Sequence, residues 1–138
     1  MIEQTLSIIK PDGVKKGLTG KIILMFEENG FEIKAIKKVQ LTKKEAEGFY
    51  YVHKDRPFFN SLISFMTEGA IIPMVLSAES AISKNREIMG ATNPKDAKEG
   101  TIRKMFAESI ERNIVHGSDS PESSKSEISF FFNIFEIL

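Results

Sequence analysis

Ala70-Ile71-Ile72-Pro73-Met74-Val75-Leu76-Ser77 is apolar at both odd and even positions. A strand with one face in water alternates, so an unbroken apolar run of this kind reads as a strand covered on both faces. Pro73 has no N–H to give to a ladder, which predicts an edge position or a bulge there. Before the run, Asp55-Arg56-Pro57 opens an expected helix that Gly69 closes, with Pro57 suited to an early helical position. Its apolar set is Phe58, Phe59, Leu62, Ile63, Phe65 and Met66. After the run, Ala81, Ile82, Asn85, Ile88 and Met89 fall on one helical stripe that ends at Gly90.

Further towards the N-terminus, Thr42 and Glu45 have capping-box spacing for a helix through about Val52. Phe31, Ile33, Ala35 and Val39 keep one face of a strand, and Thr19 is a candidate N-cap for a helix with Ile22, Ile23 and Phe26 on its apolar side. Thr5-Leu6-Ser7-Ile8 alternates and with Ile9 makes a first strand, which Lys10-Pro11-Asp12-Gly13 punctuates. On the other side lie a polar loop over 91–100 and a short helix over Thr101–Ser109. Ile114-Val115 reads as the end of a last short strand. Ser120-Pro121-Glu122 opens a final helix that buries Ile128, Phe131 and Phe132.

Strands interleaved with helices argue for an α/β (α+β) two-layer sandwich, and their order suits a ferredoxin-like antiparallel four-stranded sheet covered by helices, the arrangement that the family resemblance given below favours. On pattern alone a parallel doubly wound sheet competes with it. Nothing repeats and no linker divides the chain, so residues 1–138 are expected to be one domain. There is no cysteine, which excludes disulfides and thiolate metal sites. Nineteen basic residues balance nineteen acidic ones, so broad nucleic-acid or membrane binding is not expected and any anion site is local. No apolar run approaches a membrane span, and Met1–Thr5 lacks the pattern of a signal peptide, which suggests a cytoplasmic protein.

Chemistry concentrates in Asn113-Ile114-Val115-His116-Gly117-Ser118-Asp119, which holds one of only two histidines. An imidazole of ordinary pKa, ~6.5, is largely uncharged near neutrality and can act as a nucleophile. Gly117 removes a side chain beside it, so a bulky group can approach the ring. These seven residues resemble the active-site signature of the nucleoside diphosphate kinases. The resemblance extends over Ser7-Ile8-Ile9-Lys10-Pro11-Asp12-Gly13, Arg56-Pro57-Phe58-Phe59, Gly90-Ala91-Thr92-Asn93-Pro94 and Gly100-Thr101-Ile102-Arg103, and so from Thr5 to about Phe132.

The resemblance implies reversible transfer of a γ-phosphoryl group from ATP or another nucleoside triphosphate to a diphosphate. The transfer would be ping-pong, through a pros-phosphohistidine at His116. It further implies Lys10, Arg86, Arg103 and Thr92 on the phosphates, and Asn113 with Lys10 on the sugar hydroxyls. Phe58 would stack on the base, with Leu62 and Ile110 nearby. Glu127 would orient the histidine, Ser118 would bond near it, and Tyr50 would stand beside the nucleophile. Magnesium would arrive on the nucleotide phosphates rather than on protein ligands. A homo-oligomer, tetramer or hexamer, is implied. Val52 departs from the pattern, since relatives often carry an acid there, near the metal's waters. Two rivals stand beside this reading: a non-catalytic ligand-binding module, and a partner-binding protein whose chemistry is secondary. His53, before Lys54-Asp55, reads as a solvated helix end.

Overall fold

The computed structural model describes residues 1–138. The apolar run becomes a strand, β3 (Ile72–Glu79), buried without interruption as far as Ala78. It lies between two antiparallel partners, β1 (Ile2–Ile9) and β2 (Glu32–Ile36). A short strand, β4 (Val115–Gly117), adds to the free side of β1, giving the order β2-β3-β1-β4. This is the ferredoxin-like antiparallel sheet.

Pro73 therefore stands in an internal strand, not at an edge. Its carbonyl accepts from the backbone N–H of Lys37 at 3.2 Å, so its nitrogen also points towards β2. There β2 has already stopped at Ile36, and the next pairing is the isolated Val39–Ile71 bridge. The missing donor falls in the gap between two pairings. The register shift lies in β2 instead, between Ile33 and Ala35, and Val39 is outside that strand.

Helices cover both faces of the sheet. On one face, α3 (Lys43–Phe49), α4 (Phe59–Met66) and α7 (Pro121–Phe131) pack on Leu6, Ile8 and Val75. On the other, α2 (Thr19–Glu28), α5 (Ala81–Met89) and α6 (Ile102–Phe106) pack on Ile9, Met74 and Leu76. Alternation along β1 sends Leu6 and Ile8 to one core and Ile9 to the other. Each fully buried side chain of this size stabilises the fold by ~1.5–3 kcal/mol relative to exposure, so both layers hold the sheet.

The cap at Thr42 forms as expected: its hydroxyl accepts from Glu45 N at 3.1 Å and its own N–H donates to Glu45 Oε1 at 2.8 Å. Other boundaries move. Lys10-Pro11-Asp12-Gly13 is not only a turn, because Pro11 opens a short helix, α1 (Pro11–Lys15), its fixed φ suiting the first position. α2 starts at Thr19 with Leu18 as the cap. α3 stops at Phe49 and a 3₁₀ turn, Tyr51–His53, follows. α4 starts only at Phe59, leaving Pro57 outside it. The last strand does not end before the histidine: His116 is its middle residue.

Candidate active site

β4 is three residues long and pairs Val115 with Ile9, His116 with Ile8 and Gly117 with Ser7. His116 thus shares a face with Ile8, on the side of α3 and α7. Glu127 of α7 meets it there, with Oε1 2.8 Å from His116 Nε2. The same oxygen accepts from Ser118 Oγ at 2.7 Å, and Ser118 Oγ in turn accepts from Leu6 N at 3.2 Å. One carboxylate oxygen therefore ties the ring to a buried serine and through it to β1. With Nε2 engaged, Nδ1 is the ring nitrogen left without a hydrogen-bond partner.

Aromatic edges fix the imidazole further: Phe49 lies 5.5 Å away and Tyr50 6.3 Å, centroid to centroid. The Tyr50 hydroxyl is buried without a hydrogen-bond partner. Burial, and secondly the charge of Glu127, push its pKa up, so it remains a neutral phenol.

The backbone before the histidine is bent. Ile114 has φ +74°, and Val115 N donates to Asn113 O at 2.8 Å, so residues 113–115 form a γ-turn of the rare, strained kind. Behind the histidine, a Cβ on Gly117 would sit 2.5 Å from Met89 Sδ and 2.6 Å from Asn85 Nδ2. Glycine is required there by close approach of α5.

Three cations surround this strand, and they differ. Lys10, at the end of β1, is 8% exposed and its Nζ donates to Asn113 Oδ1 at 2.8 Å. Burial, followed by the nearby Arg103 charge, lowers its pKa to about 8. Arg103 is 5% exposed and donates to three carbonyls: Gly90 at 3.0 Å, Val115 at 2.8 Å and Asn113 at 3.3 Å. Its pKa falls to about 10, through burial first and the Arg86 charge second. Arg86 is exposed, with one long contact, NH1 to Gly117 O at 3.5 Å. Arg103 is thus a brace for the strand as well as a cation, which its position in sequence gave no means of seeing.

A single cleft of about 740 Å³ collects His116, Glu127, Tyr50, Lys10, Arg86, Arg103, Thr92, Asn113, Phe58, Leu62 and Ile110. Ser118 stands behind it, fully buried. Phe58 and Ile110 are 47% and 59% exposed, so each presents apolar surface to the opening. Cations and exposed apolar side chains in one cleft suit a ligand with a charged tail and a flat head.

The model of one family, described as nucleoside diphosphate kinase, matches residues 3–137. The chain belongs to the nucleoside diphosphate kinase family. It is 62% identical over 136 residues to a nucleoside diphosphate kinase of Campylobacter jejuni subsp. jejuni, covering 99% of each chain. Its fold is similar to that of the Aquifex aeolicus nucleoside diphosphate kinase, with a TM-score of 0.98, 44% identity and full coverage of both chains. A halophilic nucleoside diphosphate kinase from Halobacterium salinarum, solved in complex with CDP, aligns with a TM-score of 0.96 at 36% identity, over 100% of this chain and 92% of that one. As a nucleoside diphosphate kinase the chain is a phosphotransferase, moving a phosphoryl group between nucleoside tri- and diphosphates.

Several residues of the kinase cleft carry no sequence signal of their own. Phe49 reads as an ordinary core residue of α3, and Glu111, which accepts from Ser61 Oγ at 2.7 Å, as a loop acid. His53 is not simply a solvated helix end, because its ring stands 5.5 Å from Phe58 on the cleft wall. Val52 is 84% exposed at the same opening.

Proposed function

We propose that His116 is the phosphoryl carrier and that Nδ1 is the attacking atom. The observation that supports this is the engagement of Nε2 by Glu127 Oε1 at 2.8 Å. In the first half-reaction the Nδ1 lone pair forms an N–P bond to the γ-phosphorus. The bond from that phosphorus to the bridging oxygen breaks, and the diphosphate leaves with the electron pair. The proton on Nε2 stays there, hydrogen-bonded to the carboxylate, which stabilises the positive charge the ring acquires. A diphosphate oxygen then attacks the same phosphorus and returns the ring to its starting state. The bonds broken and made are of one kind, so transfer is reversible.

Arg86, Arg103 and Thr92 serve the phosphates in this reading, Lys10 and Asn113 the sugar hydroxyls, and Phe58, Leu62 and Ile110 the base. Stacking without base-reading hydrogen bonds accommodates nucleotides of every base. The CDP bound by the Halobacterium salinarum protein supports a nucleotide in this cleft. Magnesium fits the cleft as a passenger of the phosphates. No group of three or more His, Asp or Glu side chains is placed to hold a metal, whereas three cations face the same opening. Of the cleft's carboxylates, Asp119, whose carboxyl is held below its usual range chiefly by Ser123 and in part by the Arg86 charge, would meet the ion's waters. When bound, the ion neutralises phosphate oxygens as charge shifts between them. We further take residues 1–138 as one domain that assembles as a tetramer or hexamer in the cytoplasm. No helix is long and apolar enough to cross a membrane.

The test is incubation of the purified protein with a γ-labelled triphosphate. Acid-labile, base-stable label is expected on the parent and none on His116→Ala. Full phosphotransfer by a folded His116→Ala protein would overturn the mechanism.

A further inference from the structure

We propose that Asp12 is a positioning residue for phosphotransfer, acting through the backbone of Ile114. Side chains three apart on a regular strand point to opposite faces. Asn113 and His116 nevertheless line one cleft, because the γ-turn at Ile114 reverses the chain between them. That turn is unfavourable for a β-branched residue with φ +74°. Something must hold it.

Asp12 does so from α1. It is 5% exposed, and its two carboxylate oxygens are divided between two backbone donors, Oδ1 accepting from Gly13 N at 3.0 Å and Oδ2 from Ile114 N at 3.2 Å. Only a carboxylate has an acceptor for each; an amide would turn its NH₂ on one of them. Lys10 N closes the other side, donating to Ile114 O at 2.8 Å. Gly13 lets the two segments dock, since a Cβ there would lie 2.9 Å from Ile9 Cγ2 and 3.1 Å from Ile114 Cγ2. Asp12 itself does not line the cleft.

The experiment is a double-mutant cycle between Asp12→Asn and Ile114→Gly, read as kcat, KM for triphosphate and thermal midpoint. Glycine adopts positive φ unaided, so it makes the clamp dispensable. In the parent background Asp12→Asn is expected to lower kcat by about tenfold to a hundredfold, as a misplaced reacting group does, with less change in KM. In the Ile114→Gly background the same substitution is expected to change kcat less than about twofold. Equal losses of kcat in the two backgrounds would mean that Asp12 acts by charge or by general stability, and would overturn the proposal. Hydrogen exchange supplies a test on the unmodified protein. The Ile114 amide is expected to exchange as slowly as the paired amides of β1, and exchange at the rate of an open loop would overturn the clamp. The inference rests on His116 as the phosphoryl carrier. An active His116→Ala protein refutes that reading, whereas equal losses in the cycle refute only the role of Asp12.

Discussion

Arg86 and Arg103 carry the same charge into the same cleft, yet their removal should have different consequences. Arg103→Ala deletes the donors of three backbone carbonyls, those of Gly90, Asn113 and Val115, two of which flank the strained turn before His116. At ~1 kcal/mol for each hydrogen bond, the loss is about 3 kcal/mol. For a chain of this size that lowers the thermal midpoint by roughly 10 °C. Arg86→Ala removes one long contact from an exposed side chain, so its midpoint should stay within about 2 °C of the parent. Both should slow phosphorylation by triphosphate, because each loses a cation where charge shifts during transfer, an effect worth ~2.7–4 kcal/mol, or a hundred- to a thousandfold. Lysine restores charge at either position, but at 103 it cannot reproduce the planar fork that reaches separate carbonyls. Single-turnover phosphorylation at saturating nucleotide gives the rates, and thermal unfolding of the same samples gives the stabilities. An Arg103→Ala protein as stable as Arg86→Ala would refute the bracing role. Unchanged rates in both would remove the two residues from phosphoryl transfer, leaving Arg103 a structural brace and Arg86 ordinary surface.

The pKa of Lys10, lowered to about 8, predicts that kcat/KM falls as pH rises through that value, since the neutral amine no longer attracts the nucleotide. Stability should move the other way: between about 8 and 10.5 the unfolded chain binds the extra proton, so the fold gains stability with rising pH there. A pH–rate profile with the same alkaline limb in Lys10→Gln would show that another group is responsible. Glu127→Gln keeps an acceptor for His116 and Ser118 but loses the charge; at about 1 kcal/mol between charged and neutral hydrogen bonds, kcat should drop roughly five- to tenfold. A rate equal to the parent's would remove the carboxylate from the mechanism. Gly117→Ala forces a Cβ against Met89 and Asn85 and should destabilise by ~1–3 kcal/mol, measured by denaturant unfolding; an unchanged midpoint would mean that α5 yields freely.

What could be read in the sequence was what depends on neighbours in the chain. The cap at Thr42, the stripe of α5 and the double-sided burial of β3 are all encoded within a few residues of one another. Pro73 misled because its tolerance depends on where β2 stops, and that lies about 40 residues away in the chain. His116 reads as a residue after a strand because Gly-Ser-Asp follows it, whereas pairing with β1 draws it into β4. The family motif brought the cations, Phe58, Asn113 and the histidine to one cleft on paper, and they do share one. It could not distinguish an arginine that braces from an arginine that is free. That difference lies in which carbonyls come within reach after folding, and no local pattern records it.

A chain without net charge can still concentrate positive potential in one cleft because its cations are placed, not accumulated. Lys10 and Arg103 are nearly buried, which lowers the tendency of each to carry charge; the Arg103 charge adds to this at Lys10, and the Arg86 charge at Arg103. Left to electrostatics, these groups would separate. They are kept together by the carbonyls of the γ-turn and β4, so that the same hydrogen bonds fix the nucleophile and concentrate the positive potential beside it. In the proposed reaction a polyanion entering the cleft would relieve the repulsion among the three, and its phosphates would be drawn towards His116. The strain at Ile114 and the crowding of cations are therefore two aspects of one arrangement, both carried by residues 113–116. Weakening either contact set should disturb the other, because Asn113 O accepts both from Val115 N, closing the turn, and from Arg103 Nε.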